Sequence, residues 1–593
     1  MVQTQQVAEI RNLTEPSGLA KEIATRWQTW KSARGSWEKD KLELRNYIFA
    51  TDTTKTTNKS LPWKNSTTQP KLTQIRDNLH ANYISALFPH ADWFLWEPAT
   101  DDAALATKSK AITSYMKSKL KRSGFYRTIS QLVYDYIDNG NAFADCTYAT
   151  QSHQAQEGVT FNVYQGPQIH RVSPMDLMFD LTAPSFKTAP KITRTITSLG
   201  TLKKEAQANA SYNWVTTAFE KATALRTAMA QYTGEDVNKH SGILIDGFGS
   251  FTSYINSGMV ELLEFEGDIY DPNTQTLLVG YRIIIVDRKD VVHQIPFESW
   301  LGTSSKEHVA WRLRPDNLMG MGPLDNLVGM QYRIDHLENL KADVFDQIAH
   351  PVIYKRGYVE DFSWGPGEQV NGDFESEVRM LVPDTTALNA DFQIQNLMNT
   401  MEEMAGAPKQ AMGIRTPGEK TAFEVQSLDN AAGRIFQAKV AWFEQELIEP
   451  LLNQMLEQAR RHIDMSDIVE TIDDDFGVAE FITVTKEDLQ SKGRIVPTGS
   501  RHFARQNQLA QNLMGLLNSA AYQDEMVRAH ISSIGLAKAM EELLDFEKFG
   551  LVIPNIRVTE QMELQQQTTS AQQIQVDELA AANEAQEVTD GPV

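Results

Sequence analysis

The sequence predicts an α+β fold that is predominantly helical, on three observations. Long stretches between residues 323 and 463 carry apolar residues at helical spacing. Short β-type runs bounded by turn residues recur between 142 and 295 and again after 468. The 593 residues are 41% hydrophobic and 22% charged, an ordinary globular mixture long enough for several domains and sizeable cores.

Residues 1–17 read as an arm. Leu19, Ile23, Trp27, Trp30, Trp37, Leu42, Leu44 and Tyr47 recur at helical spacing and predict helices to Ile48 with a break near Gly35. The polar run Thr51 to Ser60 reads as an exposed loop. Helices are expected at Leu72 to Leu87, Ala103 to Leu120 and Phe125 to Asp138, the last stopped by Asn139-Gly140. Strands follow at Ala142 to Ala149, Val159 to Tyr164 and Gln168 to Val172, closed by a turn at Pro174 to Leu177. Leu199 to Tyr232 returns to helix. Val260 to Asp268 and Thr276 to Val286 form the clearest hairpin, and Asp287-Arg288-Lys289-Asp290 turns it into a strand at Val291 to Ile295.

Pro323 to Ala349 then predicts a helix about 40 Å long. Leu327, Ile334, Leu337, Leu340, Val344 and Ile348 share one face, which leaves Asp335, Glu338, Lys341 and Asp346 for another. His350-Pro351 stops it, because a residue before proline avoids the αR region. Some thirty residues of short β-type runs precede a second helix carrying Leu388, Phe392, Leu397, Met401 and Met404. A Gly/Pro/Lys/Arg loop, Gly406 to Lys420, leads to a third helix reaching Ile463 and interrupted only by Gly433 and Pro450. Ile468 to Thr485 is β-type, Val496 to Ser500 reads as a hinge, and helices are expected at Arg505 to Asn518, Tyr522 to Ile534 and Leu536 to Phe549. From Val558 onward the chain holds seven carboxylates and no basic residue, the composition of a disordered tail or a helical extension.

The chemistry-bearing patterns are few. Gly413 to Thr421 approaches a phosphate-cradling loop, but Glu419 precedes Lys420, moves it out of register and puts a carboxylate where phosphate would sit. Gly320-Met321-Gly322-Pro323 reads as a tight turn into a helix. The twelve histidines form no short-spaced pair, and no nucleophile motif or metal-ligand spacing occurs, so no catalytic, cofactor or metal residues are assigned. The single cysteine, Cys146, excludes an internal disulfide framework and reads as a buried structural thiol. No apolar run is long enough to span a membrane.

A net charge of −21 argues against wrapping nucleic acid on a neutralising basic face, though it suits a wall past which DNA slides. The densest basic patch is Lys108, Lys110 and Lys117 to Arg122, read as a solvated helix face with DNA contact as its rival. Tyr354, Tyr358, Phe362, Trp364 and Phe374 alternate with charges over about twenty residues, more aromatic surface than a monomer ordinarily exposes. They are read as a partner-binding surface.

Helix, small β tip, returning helix, loop and long kinked helix, in that order, resemble the portal (head-to-tail connector) proteins of tailed bacteriophages, short-tailed phages in particular. Leu61-Pro62-Trp63, followed by Leu72 to Leu87 and Phe88-Pro89, resembles a segment near that family's N-terminus. The resemblance implies a portal-type architecture. Residues 1–315 would form arm and wing, 316–350 the first stem helix, 351–387 the clip and 388–405 the second stem helix. Residues 406–420 would form a tunnel loop, 421–500 a long kinked helix with a wing β section, and 501–593 a helical crown with an acidic tail. It implies a non-enzymatic ring of about twelve copies at one capsid vertex, assembled in the host cytoplasm and carried in the virion. Its partners would be double-stranded DNA bound weakly and non-specifically, the terminase large subunit, a tail adaptor, and the major capsid and scaffolding proteins. Lys409, Arg415 and Lys420 would then face passing DNA, and Leu337, Leu340, Val344 and Ile348 would pack the stem. A DNA-acting ATPase or nuclease and another tail component are the rival readings.

Overall fold

The structure is a computed structural model. It describes residues 17–49, 65, 67–89, 93–99, 103–154, 160–208, 213–230, 254, 257–271, 274–300, 302–362, 366, 369–381, 389–405, 435–463, 466–472 and 479–499. Residues 1–16 of the expected arm, the Thr51 to Ser60 loop, Leu61-Pro62-Trp63, the loop 406–420, residues 421–434 of the expected third helix and the crown region 501–593 lie outside them.

The chain opens with α1 (Gly18–Ala33) and α2 (Gly35–Ile48). The Ser17 hydroxyl accepts the Ala20 N–H at 3.3 Å and caps α1. Arg34, at the junction, is buried. Its guanidinium donates to the Leu177 and Pro174 carbonyls and lies over the Trp37 ring, and burial lowers its pKa to about 10. Then come α3 (Lys71–Leu87), β1 (Phe94–Pro98), α4 (Ala103–Arg122) and α5 (Phe125–Asp138). Gly124, at φ +73°, turns α4 into α5 in a conformation that costs other residues energy.

Next, β2 (Asn141–Gln154) pairs antiparallel with β3 (Thr160–Val172) and, on its other edge, with β9 (Lys306–Ala310). The two strands expected between Val159 and Val172 are therefore one. Gly166-Pro167 does not break it, since Gly166 stays extended and pairs with Ala149.

A five-stranded antiparallel sheet runs in the order β4 (Leu177–Phe179), β5 (Lys191–Ser198), β6 (Met259–Asp271), β7 (Thr276–Val286), β8 (Asp290–Pro296). Leu263, Phe265, Ile283 and Ile285 pack under α1. Val260, Leu262, Ile284 and Val286 pack under α6 (Leu199–Ala208) and α7 (Asn213–Ala230). Because helices cover both faces, Ile283-Ile284-Ile285-Val286 has no polar alternation. The single helix expected over Leu199 to Tyr232 is thus two. Asp287 and Arg288, at φ +49° and +58°, are the central residues of the turn closed by the Lys289 N–H donating to the Val286 carbonyl at 2.9 Å, within the three-residue connection from β7 to β8. Both side chains are buried and paired, Asp287 with Arg226 at 2.9 Å and Arg288 with Glu261 at 2.7 Å.

Beyond β9, β10 (Arg312–Arg314) and β11 (Asn317–Met321) form a small ribbon, and a 3₁₀ turn at Asp325–Leu327 opens α8 (Val328–Ala349). The helix therefore starts at Val328, not Pro323. Gly320 and Met321 belong to β11 instead of the expected tight turn. A Cβ on Gly140 would sit 2.2 Å from the Gly322 backbone nitrogen, so glycines here permit two backbones to touch. β12 (Val352–Arg356) and β13 (Glu377–Leu381) pair antiparallel, and α9 (Asp391–Ala405) follows.

Residues 435–443 are helical, pass through a π turn at Glu444–Ile448, and continue as α10 (Glu449–His462). Pro450 has no N–H and its ring crowds the preceding turn, so widening that turn accommodates it without ending the helix. β14 (Ser466–Ile472) pairs with β15 (Ala479–Thr485). α11 (Lys486–Leu489), with a capping box from Thr485 and Asp488, leads to β16 (Gly493–Pro497). β16 pairs with β1, Phe94 opposite Pro497, which ties the first hundred residues to the last described ones. Val496 and Pro497 are therefore strand and not hinge. Thr498 continues the pairing by donating its N–H to the Trp93 carbonyl at 2.7 Å.

The largest core unites α3, α4 and α5 with Trp93, Trp96, the start of α8, α9 and the 440–463 helix. Helix and strand are thus mixed more evenly than the expected helical predominance, because β1, β5, β9, β10, β11 and β16 add strands that the sequence reading did not contain.

Candidate functional site

The α8–α9 helix pair and the ribbon it carries form the feature that least resembles an enclosed globule. α9 packs against α8 and the 3₁₀ turn before it, with Ile394, Met401 and Ala405 buried. Lys341 of α8 pairs with Asp391 at the start of α9, and Glu402 near its end pairs with Lys71.

The buried stripe of α8 is not the expected apolar one. Ile334 and Leu337 are buried, but Leu340, Val344 and Ile348 are half-buried. Gln331, Asp335, Asn339 and Asp343, four residues apart, are fully buried and grip an extended strand of chain. Asp343 Oδ1 accepts the Asn65 N–H at 3.3 Å, Asn339 Oδ1 the Thr67 N–H at 2.8 Å, and Asp335 Oδ1 the Gln69 N–H at 3.0 Å. Gln331 Oε1 accepts the Leu72 N–H at 3.3 Å, and its amide donates to the Gln69 carbonyl at 2.6 Å. The fit is metrical. Two residues of extended chain advance about 6.6 Å and four helical residues about 6 Å, so the N–H groups of Asn65, Thr67 and Gln69 meet successive turns, and Leu72, in the first turn of α3, meets Gln331. Burial raises the Asp335 pKa against the opposing pull of the Gln69 and Gln331 donors. Asp335, which the periodicity set on a different face from the apolar stripe, is therefore an inside residue, and so is Asp343.

At the far end of α8 every residue of β12 and β13 is exposed. Tyr354 and Tyr358 are exposed, and Phe374 is fully so at 106%. Phe362 is half-buried with the Lys355 ammonium 5.4 Å from its ring centre. Trp364 lies outside the described residues, as do Lys409, Arg415 and Lys420. The structure thus brings Tyr354, Tyr358, Phe362 and Phe374 onto one tip.

The basic patch divides. Lys119 is buried, 2.6 Å from Asp467 and donating to the Gln165 carbonyl at 2.7 Å, so it is not part of a solvated face. Lys110, Lys117, Lys121 and Arg122 are exposed.

Between the β3-β2-β9 sheet and the five-stranded sheet lies a charged cluster. Lys306 reaches Glu266 at 2.7 Å, Glu264 at 3.0 Å and Asp145 at 3.6 Å, and Arg282 reaches Glu264 at 2.8 Å. Burial alone would raise the Glu264 carboxyl, but Lys306 and Arg282 overcome it and hold the group well below the usual carboxylate range. Burial and the neighbouring Glu264 raise Glu266. This is a structural crosslink between β9, β2 and the five-stranded sheet. Cys146 is buried and free, and burial pushes its thiol far above the range at which it would act as a nucleophile. Among the described residues no cluster of three or more His, Cys, Asp or Glu side chains could hold a metal ion, and no helix is long and apolar enough to cross a membrane.

The sequence reading missed the α8 ladder. Its signal was present as polar residues at i, i+4, i+8 and i+12, but such a stripe ordinarily marks a solvated face.

Residues 20–169, about a quarter of the chain, match the family described as bacteriophage head to tail connecting protein. That match bears out the resemblance to phage portal and connector proteins. A search of curated proteins found no match.

Proposed function

We propose that this chain forms the ring-shaped portal at one capsid vertex of a short-tailed phage, with about twelve copies around a channel. DNA enters through it during packaging, is retained behind it and leaves through it at infection. The exposed ribbon between α8 and α9 docks the terminase large subunit first and a tail adaptor afterwards, through Tyr354, Tyr358, Phe362, Trp364 and Phe374. Leu337, Leu340, Val344 and Ile348 pack the stem, and Lys409, Arg415 and Lys420 meet DNA in the channel. Major capsid and scaffolding proteins surround the ring, which assembles in the host cytoplasm and remains in the virion. The chain works without catalysis.

The observation that carries this reading is the α8–α9 pair joined by a ribbon exposed on both faces. A lone two-stranded ribbon is marginal in water, so it is best explained as a surface completed by partners. Electron microscopy of the purified protein tests it. Closed rings with a central hole are expected, and monodisperse monomers would overturn it.

A further inference from the structure

We propose that the α8 ladder is a proton-operated latch: residues 65–70 are held most firmly while Asp335 carries a proton, and they loosen when its carboxylate ionises. Asp335 is fully buried and holds its partners through one oxygen. Oδ1 accepts the Gln69 N–H at 3.0 Å and the Gln331 amide at 2.9 Å. Oδ2 is enclosed by protein and has no hydrogen-bond partner among the described residues. An ionised carboxylate in that position keeps its charge in low dielectric with half its acceptor capacity unused. A proton on Oδ2 removes the charge and leaves Oδ1 to accept the same two donors.

The described residues around Asp335 bring it no counter-charge. On α8 the charge it feels is that of Glu338, of like sign. Lys341 lies between Glu338 and Asp391, His336 stacks on Tyr332, Arg333 is exposed, and Asp343 and Asp346 share the Asn65 amide. From α3 come Lys71, paired with Glu402 of α9, and Arg76, paired with Asp138. From α2 comes Lys41, paired with Asp325 in the turn before α8. Burial is the largest influence on Asp335 and raises its carboxyl above the ordinary value of about 4, to which it returns once residues 65–70 peel away. The closed form therefore binds the proton more tightly. Closure is favoured most below about pH 4, and that preference is lost as pH rises from there through the raised value. Buried His308 works in the opposite direction, so a segment that tightens on acidification does not follow the rest of the chain. Because α8 bears the exposed ribbon at its far end, the latch sets how firmly that helix is tied to α3. It operates within one chain, and it survives or fails independently of ring formation.

The test is hydrogen exchange of the full chain from about pH 4.5 to 7.5, read by mass spectrometry in peptides spanning residues 65–72 and corrected for the intrinsic pH dependence of amide exchange. Protection of the wild-type segment is expected to fall at least about threefold as pH rises over that range. Asp335→Asn keeps the Oδ1 acceptor without the charge, so its protection should stay level across the range. An undiminished fall in Asp335→Asn, or a wild type whose protection holds steady or grows with pH, would overturn the proposal. Should Asp335→Asn fail to fold, the wild-type profile decides alone, since a segment no better protected at pH 4.5 than at 7.5 is not latched by a proton.

Discussion

At the scale of single residues, buried charge decides more than buried hydrocarbon. Lys306 stands between Glu264, Glu266 and Asp145, and removing one partner of a buried pair strands the other's charge in low dielectric. Lys306→Met is expected to destabilise the chain by ~3–5 kcal/mol in urea unfolding, and Lys306→Met/Glu266→Gln to recover part of that. A single-variant loss below ~1 kcal/mol would mean that Arg282 alone holds the carboxylates. His308 offers a second test. Its Nε2 lies 3.0 Å from Asn141 Oδ1, its ring stacks on Phe143, and burial with the nearby Lys191 charge pushes its pKa down to about 3. Above pH ~6.5 both the folded and unfolded imidazoles are neutral. Between that pH and 3 only the unfolded chain takes up the proton, so stability falls with pH. About 1 kcal/mol should be lost between pH 7 and 5.5, and His308→Gln should flatten that part of the profile.

At the scale of elements, the helix ladder shows how a polar stripe becomes an inside face. Gln331, Asp335, Asn339 and Asp343 supply the acceptors that a neighbouring strand would otherwise provide for residues 65–72. Asn339→Ala leaves the Thr67 N–H without its acceptor. It should cost ~1–3 kcal/mol and speed proteolytic cleavage between residues 65 and 70. Unchanged cleavage would mean that the ladder does not hold the segment. β9 shows the complementary difficulty. Lys306-Glu307-His308 looks like a solvated turn in sequence, yet Lys306 and Glu307 are buried because the cluster satisfies them. The hairpin β6–β7, both α1–α2 and α4–α5 pairs, and the β12–β13 tip were legible, since their periodicity or turn chemistry is local.

At the scale of the whole molecule, assembly is the test. Leu340, Val344 and Ile348 are only half-buried within one chain, so their remaining surface is free to meet a neighbouring copy. Val344→Asp is expected to abolish rings in electron microscopy while leaving a folded monomer by circular dichroism. Normally sized rings from that variant would show that this face is not at the subunit boundary. Local pattern determined which segments are helix, which form hairpins, and that a ribbon joins two long helices, because those features depend on residues a few positions apart. Only the tertiary structure decided that β16 returns to pair with β1, that a polar stripe of α8 faces inward, and that Lys119 and Lys306 are buried. Each depends on a partner roughly 40 to 400 residues away, and no pattern within one segment can state which distant group will satisfy a donor or a charge.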